Sequence, residues 1–337
     1  MLKLGIIGTH IITDQMLDAA KQTGEYQLTA VYSRTMDRAQ EYGQPYGATE
    51  FYDDLDKFFS QGDFEVVYIA SPNSLHYSQA KLAIEHDKFV ILEKPAFANT
   101  TEFAAIDRLL KAHPQARLVE AARHIHVPLY QAGLDKIHQL DHCQGGTITV
   151  MKYSGRYDKV LAGENPAPNI FTTKFAGGAL MDLGVYGVYS AVQMFGKPKD
   201  AKYFPTLAWT GVDAKGVAIL TYDNFEVTLN IGKTANSYLP SEIYGLKDTI
   251  VYDSVFNTKH VTYYDADKKA HPVAGKVYDN SMVPEMQHFA DLFNHPDDDK
   301  QAANYKQWHD LSKTVNGVMT MLRQSANLTF PNDQPTE

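Results

Sequence analysis

Short apolar runs alternate with longer amphipathic stretches through the first third of the chain. Leu2 to Ile7 reads as a buried strand, Gln15 to Gln22 as a helix, Leu28 to Ser33 as a strand and Asp37 to Tyr42 as a helix. Val66 to Ala70 and Phe89 to Leu92 are two further strand-like runs. Between them, Leu75 to His86 has helical spacing, with Ala80, Ala83 and Ile84 on one side. Thr101 to Ala112 predicts another helix and Arg117 to Glu120 a short strand. Alternation at this interval predicts βαβ units and a parallel sheet. Uninterrupted apolar strands fit a sheet covered on both faces.

The pattern changes after about Glu120. A helix is predicted from Leu129 to Leu140, and then strands dominate: Gly146 to Tyr153, Val217 to Tyr222, Glu226 to Ile231, Ser241 to Tyr244, Thr249 to Tyr252 and His260 to Tyr263. Turn residues such as Asp223-Asn224, Gly245 and Asp265-Ala266-Asp267 separate them, as in antiparallel hairpins with one solvated face. A helix from about Gly178 to Phe195 interrupts the strands, and two more, Val283 to Asn294 and Ala302 to Gln324, close the chain. The polar tail with Pro331 and Pro335 reads as frayed. The fold class is therefore α/β: a doubly wound domain over residues 1–121, then an α+β domain built on an open sheet over 122–330, and a tail over 331–337. An open sheet has a face to cover, so a homodimer or homotetramer through the C-terminal sheet is expected.

Length and composition agree with two domains. The chain has 337 residues, 44% hydrophobic and 21% charged, which is ordinary for a globular protein with its own cores. Its one cysteine, Cys143, excludes an internal disulfide and any cysteine-based zinc cluster. The formal net charge of −9 and the absence of a Lys/Arg run argue against a nucleic-acid partner. Met1-Leu2-Lys3-Leu4-Gly5 leads straight into a strand pattern without signal-peptide features, and runs such as Val66-Val67-Tyr68-Ile69-Ala70 are too short to span a membrane. A cytoplasmic location without membrane partners is the expectation.

Candidate chemistry sits at the carboxyl ends of the predicted strands. Gly5-Ile6-Ile7-Gly8-Thr9-His10-Ile11-Ile12-Thr13 follows the first strand and opens a helix, the context that a dinucleotide pyrophosphate requires. Gly8 fits the first glycine of G-x-G-x-x-G, but His10 stands at the second and Thr13 at the third, so by itself the loop reads equally well as a plain βα turn. The second strand ends in Tyr32-Ser33-Arg34 with no acid for a ribose 2′-hydroxyl. Ser33, Arg34 and Arg38 are suited instead to a 2′-phosphate, which favours NADP(H) over NAD(H), although Arg34 also reads as a solvated loop residue. Ala70-Ser71-Pro72-Asn73 ends the next strand, with His76 in the first helical turn beyond it. From spacing alone, His76 is more simply a helix-surface residue than a group facing the crevice.

Glu93-Lys94-Pro95 follows Phe89-Val90-Ile91-Leu92 directly. A lysine there, pinned by a proline, can stabilise a developing alkoxide or lower the pKa of a neighbouring acid, with Glu93 orienting it. A surface ion pair is the plainer alternative. In the second half, Ala176-Gly177-Gly178-Ala179-Leu180-Met181-Asp182-Leu183-Gly184-Val185-Tyr186 enters a helix sharply, and Asp182 and Tyr186, four apart, share one face. A tyrosine near an ammonium group is a candidate proton donor or acceptor. The plain reading of Asp182 is a carboxylate at a helix N-terminus.

The Gly8 loop, Ser71-Pro72-Asn73 with His76, Glu93-Lys94-Pro95 and Gly177-Gly178-Ala179-Leu180-Met181-Asp182-Leu183-Gly184 occur in an order that resembles the glucose-fructose oxidoreductase/inositol dehydrogenase/rhizopine catabolism (Gfo/Idh/MocA) family, over nearly the whole chain. The resemblance implies an N-terminal Rossmann dinucleotide-binding domain, then an α+β domain with a large open, mostly antiparallel sheet, and hydride transfer between a nicotinamide and a hydroxyl-bearing carbon of a sugar, cyclitol or diol. It implies that Lys94 is the catalytic lysine and Asp182 its partner near the substrate. Tyr186 stands where many members carry histidine, which looks like the glucose-fructose oxidoreductase and dihydrodiol dehydrogenase branch, where tyrosine is the general acid/base. Glu120-Ala121-Ala122-Arg123-His124-Ile125-His126-Val127-Pro128 is similar to the family's linker strand, with Ile125 in place of the usual arginine and Arg123 and His124 as pocket candidates. Asn169 and Phe171 fall in a region that often contacts substrate.

Two functions compete: an active NAD(P)-dependent dehydrogenase, supported by Lys94, Asp182 and Tyr186, and a catalytically silent nucleotide-binding regulator of the same fold, suggested by His10 and Thr13. A metal hydrolase has little support, because His124 and His126, placed on a predicted strand, lack a third ligand.

Overall fold

In the computed structural model, which describes residues 1–334, the alternating first third becomes a six-stranded parallel sheet. Its elements are β1 (Leu2–Ile7), α1 (Ile11–Thr23), β2 (Tyr26–Tyr32), α2 (Met36–Gly43), β3 (Glu50–Tyr52), α3 (Leu55–Gln61), β4 (Val66–Ile69), α4 (His76–Glu85), β5 (Phe89–Glu93), α5 (Thr100–Ala112) and β6 (Arg117–Ala121). The strand order is β3-β2-β1-β4-β5-β6, the doubly wound order whose direction reverses between β1 and β4. Side chains alternate cleanly between two cores. Leu4, Ile6, Tyr68 and Ile91 face one, with Met16 of α1. Ile7, Val67, Ile69, Val90 and Leu92 face the other, with Phe58, Ala83 and Phe103 of the opposite helices. Burial on both faces explains why these strands read as continuous apolar runs rather than alternating ones.

The second sheet has eight strands in the order β14-β13-β12-β11-β7-β10-β9-β8. In chain order its unit holds α6 (Pro128–Ile137), β7 (Gly145–Met151), α7 (Tyr157–Leu161), α8 (Val185–Phe195), β8 (Asp200–Leu207), β9 (Asp213–Thr221), β10 (Glu226–Gly232), β11 (Ser241–Tyr244), β12 (Thr249–Tyr252), β13 (Val261–Tyr264) and β14 (Ala270–Pro272). Every pairing is antiparallel except β7 with β10. Helix α8 covers one face through Gly187, beside Val150, Ile148 and Leu229. The other face leaves Phe204 and Val217, direct cross-strand partners, 62% and 38% exposed. The final helices are α9 (Val283–Asn294) and α10 (Asp299–Ser325).

Several expectations change. A single boundary near residue 121 does not describe the chain: Asp279–Asp310, with α9 and the start of α10, packs in the first unit, while the second unit runs from His124 to Tyr278 and resumes at Leu311. Helix α9 buries Met286, Phe289 and Phe293 in the core shared with α1, and Phe293 stacks on Phe89 at 4.7 Å. The tail is not frayed through Asp333. Pro331–Asp333 forms a short 3₁₀ turn, and Asp333 takes two 2.8 Å hydrogen bonds from the buried Arg323 guanidinium; Pro335 and the tail beyond it lie outside the described residues. Thr173–Phe195 does reach the length and hydropathy of a membrane-crossing helix, but 83% of that window is buried, as in a core helix.

Candidate functional site

The first half of the site is built where β1 and β4 part. Gly8 has φ +115°, and a Cβ added there would lie 2.6 Å from the Ala70 carbonyl oxygen, so the two strand ends approach closely only because this residue is glycine. His10, which stands at the family's second glycine, has extended backbone (φ −126°, ψ 171°) and forms the N-cap of α1, where its carbonyl accepts from the Thr13 amide at 2.8 Å. Its side chain is exposed, and no left-handed backbone is demanded of it. Thr13, at the third glycine position, is fully buried. Thr9 is tied to α2: the Arg38 guanidinium donates to Thr9 Oγ1 at 3.2 Å and to the Thr9 carbonyl at 3.0 Å, while pairing with Glu41 at 3.2 Å. Arg34 is exposed, and the amide of Ser33 is committed to the Tyr52 carbonyl. A positive-φ glycine at a strand end, the start of a 13-residue helix and a guanidinium at the same loop fit the charge and close approach of a dinucleotide.

The loop after β4 and the turn carrying Lys94 are joined through His76. The sequence reading of His76 as a surface residue is wrong: it is 1% exposed, with Nδ1 3.0 Å from the Pro95 carbonyl and Nε2 3.0 Å from the Ser71 carbonyl. Burial holds the ring toward its neutral form, and the nearby Lys94 ammonium pushes the same way against the pull of the carbonyl oxygens. A neutral imidazole has one N–H, so His76 donates to one of these carbonyl oxygens and packs against the other, between the two loops. Ser71 donates to Gln79 Oε1 at 2.7 Å, fixing the same loop from α4.

Lys94 is half-buried at the end of β5. The Lys94 backbone amide donates to Glu93 Oε2 at 3.2 Å, and Tyr68 Oη donates to Oε1 at 2.7 Å, while the Lys94 charge also acts on the Glu93 carboxyl. Glu93 is buried, and desolvation pushes its carboxyl up despite Lys94, Tyr68 and Arg123 pulling it down. Glu285 of α9 is fully buried in the same unit, and burial together with the Glu93 charge pushes it well above the usual carboxylate range. Ala96 is held by Glu120 Oε1 at 2.9 Å.

In the second unit, Gly178 (φ +118°) brings the backbone against Asp213; a Cβ there would lie 2.0 Å from Asp213 Oδ1. Asp213 accepts from the Leu180 amide at 2.6 Å and from Tyr203 Oη at 2.7 Å, which starts the turn Leu180–Gly184. That turn is π-helical and precedes α8, so Asp182 and Tyr186 are not related by the simple α-helical step that the spacing predicts. Asp182 Oδ2 lies 2.6 Å from Lys233 Nζ. Tyr186 is buried, its ring edge-on to His124 at 5.1 Å.

The pocket candidates resolve unequally. Arg123–His126 is a 3₁₀ turn, not a continuing strand. Arg123 belongs to the first unit, where its guanidinium reaches Gln15 Oε1 at 3.5 Å. His124 belongs to the second, 1% exposed among Tyr130, Tyr186 and Tyr189, so it backs Tyr186 from within the core. Asn169 is exposed and its carbonyl closes a turn onto Thr172, while Phe171 is fully buried under the Lys233 ammonium at 4.7 Å. Sequence reasoning missed Lys233. Its signal was present: Lys233 follows β10 as Lys94 follows β5, a lysine directly beyond an apolar strand.

Residues 2–121 match the family model described as an oxidoreductase family with an NAD-binding Rossmann fold, GFO_IDH_MocA, and residues 140–251 match the GFO/IDH/MocA C-terminal domain. The chain belongs to the Gfo/Idh/MocA oxidoreductase family. A family member in Bacillus subtilis (strain 168), scyllo-inositol 2-dehydrogenase (NADP(+)), is 34% identical over 99% of this chain and 100% of its own length. The mouse (Mus musculus) trans-1,2-dihydrobenzene-1,2-diol dehydrogenase is 24% identical over 99% of both chains. The fold matches that of a levoglucosan dehydrogenase solved with NADH and levoglucosan, with a TM-score of 0.80 over 97% of both chains at 17% identity. Family membership makes the protein an oxidoreductase with a nicotinamide-binding Rossmann domain.

Proposed function

We propose that this protein is an NADP(H)-dependent dehydrogenase acting on a secondary alcohol of a cyclitol or a related sugar or diol. The observation that carries the reading is the turn at Lys94, a lysine at a strand's carboxyl edge in a Rossmann unit, clamped by Glu93 through its own amide and by His76 through Pro95. The phosphate preference rests on Arg38, whose guanidinium lies at the Thr9 loop, and on the absence of an acid at the end of β2. The NADP(+)-named, 34% identical relative supports both cofactor and substrate class.

Gly8, Thr9, His10, Ile11 and Ile12 would hold the pyrophosphate at the α1 N-terminus, with Ser33, Arg34 and Arg38 toward the adenosine ribose and Ala70, Ser71, Pro72 and Asn73 along the loop after β4. When bound, the nicotinamide supplies the acceptor or donor of hydride. In the oxidising direction the carbinol oxygen must lose a proton as its carbon loses hydride. We assign that proton to Tyr186, with Lys94 stabilising the developing alkoxide and Asp182 accepting a hydrogen bond from a substrate hydroxyl. Burial of Tyr186 beside His124 keeps its ring in one orientation. NADP reduction on a panel of inositols, sugars and diols tests the assignment; tight NADP binding with no turnover on any of them would favour a silent regulator.

We also propose that a second copy of the chain covers the open sheet face. Phe204 and Val217 form an exposed apolar cross-strand pair, and β13 adds Tyr264, 38% exposed, on the same sheet.

A further inference from the structure

Lys233 carries an enclosed ammonium group, at 1% exposure. Burying an ammonium is costly unless a counter-charge meets it at close range. Two carboxylates surround it. Asp213, on β9, is itself 1% exposed, and its oxygens are committed to Tyr203, to the Leu180 amide and to close packing on Gly178. Asp182 is different: Lys233 Nζ lies 2.6 Å from its Oδ2, yet its side chain keeps 31% of its surface. The fully buried ring of Phe171 lies 4.7 Å beneath the ammonium and closes it off from water on that side.

We infer that Lys233 is a positioning residue that holds Asp182 in one orientation and in its ionised form, as a fixed acceptor for a hydroxyl of a neutral polyol. The inference rests on the proposed function for the identity of the ligand, not for the state of Asp182. Lys233 does not touch ligand; it is enclosed. Its place directly after β10 fixes where the ammonium sits, because the Lys233 amide donates to the Ala214 carbonyl of β9 at 2.9 Å. The π-helical turn Leu180–Gly184 sets Asp182 over it, anchored at its start by Asp213. Of the ionisable groups on β8, β9 and β10, Asp213 and Tyr203 are buried and bonded to each other, while Asp200, Lys202, Lys215 and Glu226 are exposed. Lys233 thus places a buried positive charge in direct contact with Asp182. An apolar residue of the same length would pack as well on Phe171 and would remove this charge from beside the carboxylate. A lysine here serves the charge state of Asp182 more than the stability of the fold.

The test compares wild type with Lys233→Met and Lys233→Arg, using NADP and scyllo-inositol as probes. The titration of Asp182 is followed by carboxyl ¹³C NMR on aspartate-labelled protein, assigned with Asp182→Asn. In Lys233→Met the Asp182 midpoint is expected to move to higher pH by about one unit or more, a tenfold change in its proton affinity. The KM for the polyol is expected to rise about tenfold, with kcat falling less and NADP affinity unchanged. Lys233→Arg should restore most of both. An Asp182 midpoint that is the same in Lys233→Met and wild type overturns the inference. If Lys233→Met does not fold, the double variant Lys233→Met/Asp182→Asn, which removes both charges, is expected to fold; its failure would show that Lys233 is needed for packing and would equally overturn the inference. The titration is read without turnover. A shifted midpoint with no NADP reduction on any polyol would contradict the proposed function and leave the role of Lys233 intact.

Discussion

His76 Nδ1 lies 3.0 Å from the Pro95 carbonyl oxygen, so a fully enclosed imidazole ties the loop after β4 to the turn that carries Lys94. Replacing His76 by alanine strands the carbonyl oxygen, of Pro95 or Ser71, to which the neutral ring donates, at about 1–3 kcal/mol. We predict that His76→Ala loses about 1–3 kcal/mol of stability and weakens nicotinamide cofactor binding at least tenfold, read by thermal unfolding and by fluorescence titration.

The same histidine gives a pH dependence with a defined sign. Burial lowers its affinity for a proton in the folded state, so the unfolded chain binds more protons at acid pH. Its contribution is complete above the unfolded value near 6.5 and is lost as pH falls through the depressed folded value. Urea unfolding from pH 8 to pH 5 is expected to show stability falling below about pH 6.5, and His76→Gln to flatten that part of the curve.

Arg38 is predicted to choose the cofactor. Removing its guanidinium in Arg38→Ala costs one charged contact to a 2′-phosphate, about 1.5–3 kcal/mol, or roughly ten- to a hundredfold in NADP affinity, with NAD affinity little changed. Equal losses for both cofactors would show that Arg38 acts by holding the Thr9 loop, to which it already donates twice.

Asp333 anchors the end of the described chain. Burial alone would raise its carboxyl, but the Arg323 guanidinium and the Phe330 amide hold it below the usual range. The stabilisation is present above about pH 4 and is lost as pH falls through the lowered folded value. Asp333→Asn leaves Arg323, which also donates to the Leu328 and Ala98 carbonyls, without its carboxylate. A loss of about 2–4 kcal/mol at pH 7, shrinking toward pH 3, is the expected result of denaturant titration.

The open sheet face predicts the oligomeric state. Light scattering should give a mass above the 37.7 kDa of one chain, and Val217→Lys, which sets a charge beside Phe204, should shift it toward the monomer. A monomeric wild type would remove the proposal.

The fold was legible where burial writes a regular pattern. Strands β1, β4 and β5 are buried on both faces and gave unbroken apolar runs, and β10 to β12 gave alternation with turn residues between them. Elements outside those patterns were missed. β3 has three residues at a sheet edge, α3 carries only two buried side chains, and β8 is an edge strand with Lys202 and Pro205 breaking the apolar signal. The return of α9 to the first unit is a long-range choice that local spacing does not encode. At the candidate site, the positions of Lys94 after β5, Asp182 in the turn before α8 and Gly8 after β1 were legible because each stands at a strand or helix end within a recognisable order. His76, Phe171 and Lys233 were misread or missed for a common reason. Their roles depend on burial and on partners distant in sequence, and an imidazole or ammonium pattern on one helix or strand says nothing about either.

The central claim is that Lys94 serves alcohol oxidation by NADP. The most direct measurement is NADP reduction by wild type and Lys94→Ala on scyllo-inositol and other inositols, sugars and diols, with NADP affinity measured separately. The account predicts turnover by wild type on at least one polyol and a fall in kcat of about 10²–10⁴-fold in Lys94→Ala, with NADP still bound. Turnover undiminished in Lys94→Ala, or tight NADP binding by wild type with no substrate turned over, would contradict it.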